Sequence, residues 1–142
     1  INSRMDGLQA AVLNIKLKFI DQWTVQRRKA AARYDRLLSD CHHMTLPIEN
    51  SWNKHVYHLY VIKSDKRDEL KKHLETHGVQ TGINYSKALP FYKAYEYLGH
   101  RPREFYCAFK NQSKILSIPI YPEISKKQQE YVARTICSFK FD

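Results

Sequence analysis

Ile1-Asn2-Ser3-Arg4-Met5-Asp6-Gly7-Leu8-Gln9-Ala10-Ala11-Val12-Leu13 is the stretch that decides how this chain is read. A short polar run, Asn2 to Asp6, opens directly into an apolar helix. Leu8, Ala11, Val12, Ile15 and Phe19 recur at the spacing of one helix face, and Leu13, Leu17 and Ile20 make a second stripe. A helix apolar over so much of its circumference needs protein on several sides. The pattern predicts burial between two bodies of protein, and the chain is expected to be the end of something larger.

Working outward, the pattern changes after Trp23. Gln26 to Lys29 is polar and basic, and Ala30, Ala31, Tyr34, Leu37 and Leu38 then restore an amphipathic face. The reading is a second helix, or a kinked continuation, ending near Asp40. Pro47, Asn50, Ser51 and Asn53 mark a loop over 41–54. Val56 to Ile62, dense in β-branched and aromatic residues, predicts a buried strand. Ser64 and Asp65 are cap residues for a helix from about Lys66 to His77, with Leu70 and Leu74 inward and Gly78 closing it. Val79 to Tyr85 predicts a second strand. Pro90 and Pro102 open two short helices, the first stopped by Gly99. Ile115 to Ile118 is a strand ended by Pro119. Ser125 with Gln128 is a capping-box pattern before a last helix with Val132 and Ile136 inward. The fold class is α+β, a small sheet covered by helices.

A chain of 142 residues is one domain by length, and 43% hydrophobic with 27% charged residues supports a folded core. No run of about 18 apolar residues exists, so no membrane span or membrane partner is expected. No signal peptide is visible. The cysteines Cys41, Cys107 and Cys137 are odd in number and widely spaced, which favours reduced cytoplasmic thiols over a disulfide framework. The net charge of +10 admits a nucleic-acid partner, an anionic ligand or an acidic partner domain.

Three segments, in order and spacing, carry a resemblance. They are Asn2-Ser3-Arg4 before the apolar helix, Thr76-His77-Gly78-Val79-Gln80-Thr81-Gly82-Ile83-Asn84-Tyr85, and Leu116-Ser117-Ile118-Pro119-Ile120-Tyr121-Pro122-Glu123-Ile124-Ser125. Over about residues 1 to 138 the chain resembles the C-terminal small domain of the DegT/DnrJ/EryC1/StrS family of pyridoxal-phosphate sugar aminotransferases, of fold type I. The resemblance divides the chain into an interdomain helical segment, 1–40, and a small α+β domain, 41–142. It implies a parent enzyme that moves an amino group from an amino acid, L-glutamate, to a nucleotide-linked keto sugar.

The resemblance also implies site residues. Asn2 would reach across a homodimer interface to the cofactor phosphate, its NH₂ donating without adding charge. Arg4 would hold a phosphate or carboxylate through two parallel bonds. From the residues alone, a helix cap at Asn2 and a solvated Arg4 is the preferred reading, and the surrounding resemblance turns the preference to the functional one. Asn84 and Tyr85 would line the sugar-nucleotide pocket. Asn84 stands where the family commonly has His, and Ser86 where it commonly has Pro. An Asn can hydrogen-bond a sugar oxygen but cannot titrate near neutral pH. Tyr85 could bond a phosphate or stack on a ring, or simply end a strand. Leu116 to Pro122 reads as structural. The Schiff-base lysine of the family lies upstream of the Asn-x-Arg element, so no catalytic residue is assigned here and this chain alone is not expected to transaminate.

Other constellations are weaker. Cys41, His42, His43, His55 and His58 are close in sequence, but His55 and His58 would face opposite sides of a strand, and no metal site is assigned. Arg27, Arg28, Lys29, Arg33 and Arg36 form a basic patch, read as a solvated face or a docking surface. Six tyrosines between 85 and 121 read mostly as packing. The rival reading is a stand-alone basic module that binds nucleic acid or protein. It requires Leu8, Val12, Ile15 and Phe19 to be buried within one chain, whereas a partial chain leaves them uncovered.

Overall fold

The computed structural model of the chain describes residues 4–140. Two helices open it, α1 (Gly7–Leu17) and α2 (Ile20–Leu37). Asp6 starts α1 by accepting the Gln9 N–H at 2.8 Å. The break between the helices falls at Lys18–Phe19, earlier than the change in pattern after Trp23. There the N–H groups of Lys18 and Phe19 bond three residues back, tightening the turn. The Phe19 and Trp23 rings stack across it at 5.8 Å.

No residue of α1 is buried. Leu8, Val12, Ile15 and Phe19 are 78%, 45%, 61% and 44% exposed. The condition set by the self-contained reading therefore fails, and the predicted burial of α1 does not occur within this chain. Leu13 and Ile20, of the second stripe, are uncovered as well.

The sheet has two antiparallel strands, β1 (Tyr60–Lys63) and β2 (Ile115–Ile118), with Tyr60 opposite Ile118 and Lys63 opposite Ile115. Single bridges extend it on both sides, Thr45 to Lys63 and Gly82 to Ser117. The sheet thus confirms the α+β expectation with shorter strands than predicted. The strand expected from Val56 begins only at Tyr60, because Tyr57 has φ +50 and the carbonyls of Tyr57 and His58 are taken by Arg27 rather than by a ladder. The strand expected over Val79 to Tyr85 shrinks to the bridge at Gly82. The Val79 N–H is spent on the Leu74 carbonyl, closing the preceding helix.

That helix, α3 (Arg67–Thr76), buries Leu70 and Leu74 and ends at Gly78, whose φ of +72 suits glycine. Residues 89–105 form short 3-10 turns, Leu89–Phe91, Lys93–Leu98 and Pro102–Phe105, followed by α4 (Tyr106–Asn111). Phe91 meets Phe105 and Phe109 edge to face, a small aromatic cluster apart from the main core. The last helix, α5 (Lys126–Cys137), opens with the predicted box: Ser125 Oγ accepts the Gln128 N–H, and Gln128 Oε1 accepts the Ser125 N–H.

The core lies between the sheet and helices α2, α3 and α5. Tyr34, Leu38, Tyr60, Ile62, Leu70, Leu74, Leu116 and Ile136 are fully buried there. The buried Gln129 amide donates to the Ala30 carbonyl at 2.8 Å and ties α5 to α2. Tyr34 donates to the Pro119 carbonyl at 2.9 Å.

Three expectations are corrected. The first concerns the arginines of α2, which are fastened to the fold. Arg27 donates to the carbonyls of Tyr57, His58 and Ile120, Arg28 to Glu49 and the His55 carbonyl, and Arg33 to Glu130. Second, the tyrosines between 85 and 121 are exposed, whereas the packed ones are Tyr34, Tyr57 and Tyr60. Third, Cys41 and Cys137 form a disulfide, with Cα atoms 5.7 Å apart, and only Cys107 is free. Their sequence separation of 96 hid the pair from the sequence. The packing of α2 against α5 brings their C-terminal ends together.

Candidate functional site

The edge of β2 positions the first pair of site residues. Gly82 and Ser117 exchange both backbone bonds, Gly82 N–H to the Ser117 carbonyl at 3.0 Å and Ser117 N–H to the Gly82 carbonyl at 2.7 Å. Two residues on, the Asn84 side chain turns back to Ser117, whose Oγ donates to Asn84 Oδ1 at 3.0 Å. Gly82 makes room for this, because a Cβ there would stand 3.1 Å from Asn84 Oδ1. Ser117 itself is only 6% exposed. Asn84 lies at the surface, and Tyr85 is 71% exposed, with its ring out of the core. The Asn84–Tyr85 peptide bond is cis. The arrangement presents an amide and a phenol side by side on a rigid sheet edge. It can hydrogen-bond and stack, but it holds no nucleophile or base.

Arg4 lies elsewhere. It lines an open groove with Met5, Leu8, Gln9, Val12 and Leu13, along the uncovered face of α1, and Asn84 and Tyr85 do not border it. Asn2 falls outside the described residues. The structure thus pairs Asn84 with Tyr85 and keeps Arg4 on a separate surface.

A cleft of about 740 Å³ is basic. Lys63, Lys66, Lys110 and Lys114 border it against one carboxylate, Asp65. Asp65 pairs with Lys114, and that hydrogen bond, helped by Lys110, holds its carboxyl below the usual range. No group of three or more His, Cys, Asp or Glu side chains able to hold a metal occurs among the described residues. His55 instead accepts the Tyr57 N–H on Nδ1.

Sequence reasoning missed Ser117, taken only as part of a structural proline segment, and gave Gly82 no separate role. The signal for Gly82 was a glycine inside a strand pattern, which marks a close approach of another group.

Comparison with known proteins places this geometry. The chain belongs to the DegT/DnrJ/EryC1/StrS aminotransferase family, whose model matches residues 1–137. It is 39% identical over 140 residues to a pleiotropic regulatory protein of Geobacillus stearothermophilus, covering 97% of this chain and 38% of that protein. It is 34% identical to the dTDP-3-amino-3,4,6-trideoxy-alpha-D-glucose transaminase of Streptomyces venezuelae, over 89% of this chain and 34% of that enzyme. The crystal structure of S. venezuelae DesV in complex with a ketimine intermediate superimposes with a TM-score of 0.88 at 31% identity, covering 95% of this chain and 36% of DesV. The chain therefore spans little more than a third of the length of these relatives.

Proposed function

We propose that this chain is the C-terminal part of a sugar aminotransferase that moves an amino group from L-glutamate to a keto carbon of a nucleotide-linked sugar. The observation that supports this most is the match to DesV, with a TM-score of 0.88 over 95% of the chain. Several relatives are named as transaminases of dTDP-linked amino sugars, and one as an aminotransferase of a UDP-linked 3-oxo sugar.

In this reading, residues 1–40 link the small domain, 41–142, to a large domain. The uncovered face of α1 packs against that domain and against a second subunit in a homodimer. Exposure of Leu8, Val12, Leu13 and Ile15 along α1, continued by Ile20 at the start of α2, supports such a partner, since single domains rarely leave so large an apolar surface in water.

Family members depend on pyridoxal phosphate, and the donors at the start of the chain suit its phosphate. Arg4 is exposed at the mouth of the α1 groove and offers a planar fork of N–H groups, while Asn2 adds a neutral donor. These two residues would hold the cofactor phosphate. When bound, the cofactor supplies an electron sink for amino transfer. Asn84 binds a sugar oxygen and Tyr85 stacks on or bonds the nucleotide part. Both orient the substrate and move no proton.

The nucleic-acid reading loses its main support, because Arg27, Arg28 and Arg33 of the α2 patch are engaged within the fold. The test is an assay of the full-length protein with L-glutamate and dTDP- or UDP-linked keto hexoses, following 2-oxoglutarate release. Transfer is expected, with Asn84→Ala raising KM for the sugar and leaving KM for L-glutamate unchanged. Lack of transfer to every keto sugar by a cofactor-loaded protein would reject the reading.

A further inference from the structure

The bond between Ser117 and Asn84 carries information that neither residue carries alone. An amide can turn either its oxygen or its nitrogen toward a neighbour, and a serine hydroxyl can answer both. Burial decides the case here. Ser117 is 6% exposed, and its Oγ donates to Asn84 Oδ1 at 3.0 Å. Turning the amide over would take this acceptor away from the part-buried hydroxyl, an arrangement that costs about 1–3 kcal/mol when no other acceptor replaces it.

The orientation of Asn84 is therefore fixed from behind. One lone pair of its oxygen is taken by Ser117, and the Nδ2 end of the amide lies on the side away from that hydroxyl. Gly82 is part of the same device, since a side chain there would press on Asn84 Oδ1.

We infer that Ser117 is a positioning residue that fixes which way the Asn84 amide turns and directs its Nδ2 end away from the sheet, so that this position favours a ligand oxygen. This rests on the reading of Asn84 as a sugar-binding residue. It deepens that reading by naming the chemistry. A keto, ether or hydroxyl oxygen fits the Nδ2 end, whereas an ammonium or amide N–H there would meet donor with donor.

Two measurements on the full-length protein test this. Neutron diffraction from crystals exchanged into D₂O distinguishes the two ends of the amide and locates the hydroxyl deuterium. The expected map has deuterium on Ser117 Oγ directed at Asn84 Oδ1, with both Nδ2 deuterons facing away. A deuteron on Nδ2 directed at Ser117 would overturn the inference whatever the activity. The second measurement is a kinetic double-mutant cycle with dTDP-3-amino-3,6-dideoxy-α-D-galactopyranose and 2-oxoglutarate, run in the reverse direction. Ser117→Ala is expected to raise KM for the sugar nucleotide by about three- to tenfold, the worth of one neutral hydrogen bond. KM for 2-oxoglutarate stays unchanged, Ser117→Thr restores the sugar KM, and the effect vanishes in an Asn84→Ala background. An equal effect in that background would mean Ser117 acts only on the fold, and would overturn the inference. Absence of turnover by the unsubstituted, cofactor-loaded protein with this and every other dTDP- or UDP-linked amino sugar would reject the aminotransferase reading, and the neutron map would still decide the orientation.

Discussion

Arg27 is the side chain whose removal the structure values most clearly. Its Nη1 lies 3.1 Å from the Tyr57 carbonyl, 3.0 Å from that of His58 and 3.1 Å from that of Ile120. One nitrogen carries two protons, so the three acceptors share two donations. Each charge-assisted bond contributes about 1.5–3 kcal/mol. Arg27 is half-buried and the His58 contact is exposed, so water recovers part of the loss. The net cost of Arg27→Met, which keeps most of the aliphatic stem, is then roughly 2–4 kcal/mol. The change also frees the turn at Tyr57, where φ is +50, and the segment after Pro119. Urea unfolding followed by circular dichroism reads this directly. With a slope of about 2 kcal/mol per molar, the midpoint falls by roughly 1–2 M. Arg27→Lys should recover less than half, because the lysine side chain is one bond shorter and its ammonium stops short of the place Nη1 occupies between the three carbonyls. A Met variant within about 0.5 kcal/mol of the unsubstituted protein, the range of ordinary surface changes, would refute the idea that this arginine fastens the fold.

Three further outcomes follow from the same structure. The Cys41–Cys137 bond closes a loop of sequence separation 96, which chain entropy values at about 4.7 kcal/mol. Reductant or Cys41→Ser with Cys137→Ser should lower the unfolding temperature by roughly 7–16 °C, and finding three reactive thiols in the untreated protein would count against the bond. Arg28 and the His55 N–H hold the Glu49 carboxyl below its usual range. Its stabilisation is present above the ordinary carboxylate pKa and is lost as pH falls through the lowered folded value, so Glu49→Gln should flatten the acid limb of a stability–pH curve. An unchanged acid limb would contradict the pairing. Burial raises the pKa values of Tyr34 and Tyr60, the latter helped by its hydrogen bond to Asp35. Their stabilisation is complete below the ordinary phenol pKa and is lost as pH rises above it. An ultraviolet titration of the 10 tyrosines should leave these two un-ionised until the protein unfolds. Ionisation of all of them with circular dichroism still native would be the opposing result.

Much of the framework was legible in local chemistry. The Ser125–Gln128 box, Gly78 after α3, the inward Leu70 and Leu74, and the strand Ile115–Ile118 each follow from side chains acting on backbone groups a few residues away. The family resemblance was legible for the same reason, since its motifs are short and ordered along the chain. The strands were overextended because β-propensity registers residue type and cannot see which partner takes each backbone group. At Tyr57 the partner was an arginine 30 positions away, and at Val79 it was the end of the preceding helix.

What the sequence by itself determined is the set of local elements, the apolar stripes of α1 and the family. Only the tertiary structure decided the rest. It turned the α2 arginines from a presumed surface patch into internal fasteners, joined Cys41 to Cys137, exposed the later tyrosines and placed Ser117 behind Asn84. Each of these depends on groups between 21 and 97 positions apart along the chain. Periodicity reports which face of an element turns inward. It does not report what that face meets, because the meeting is set by packing between elements.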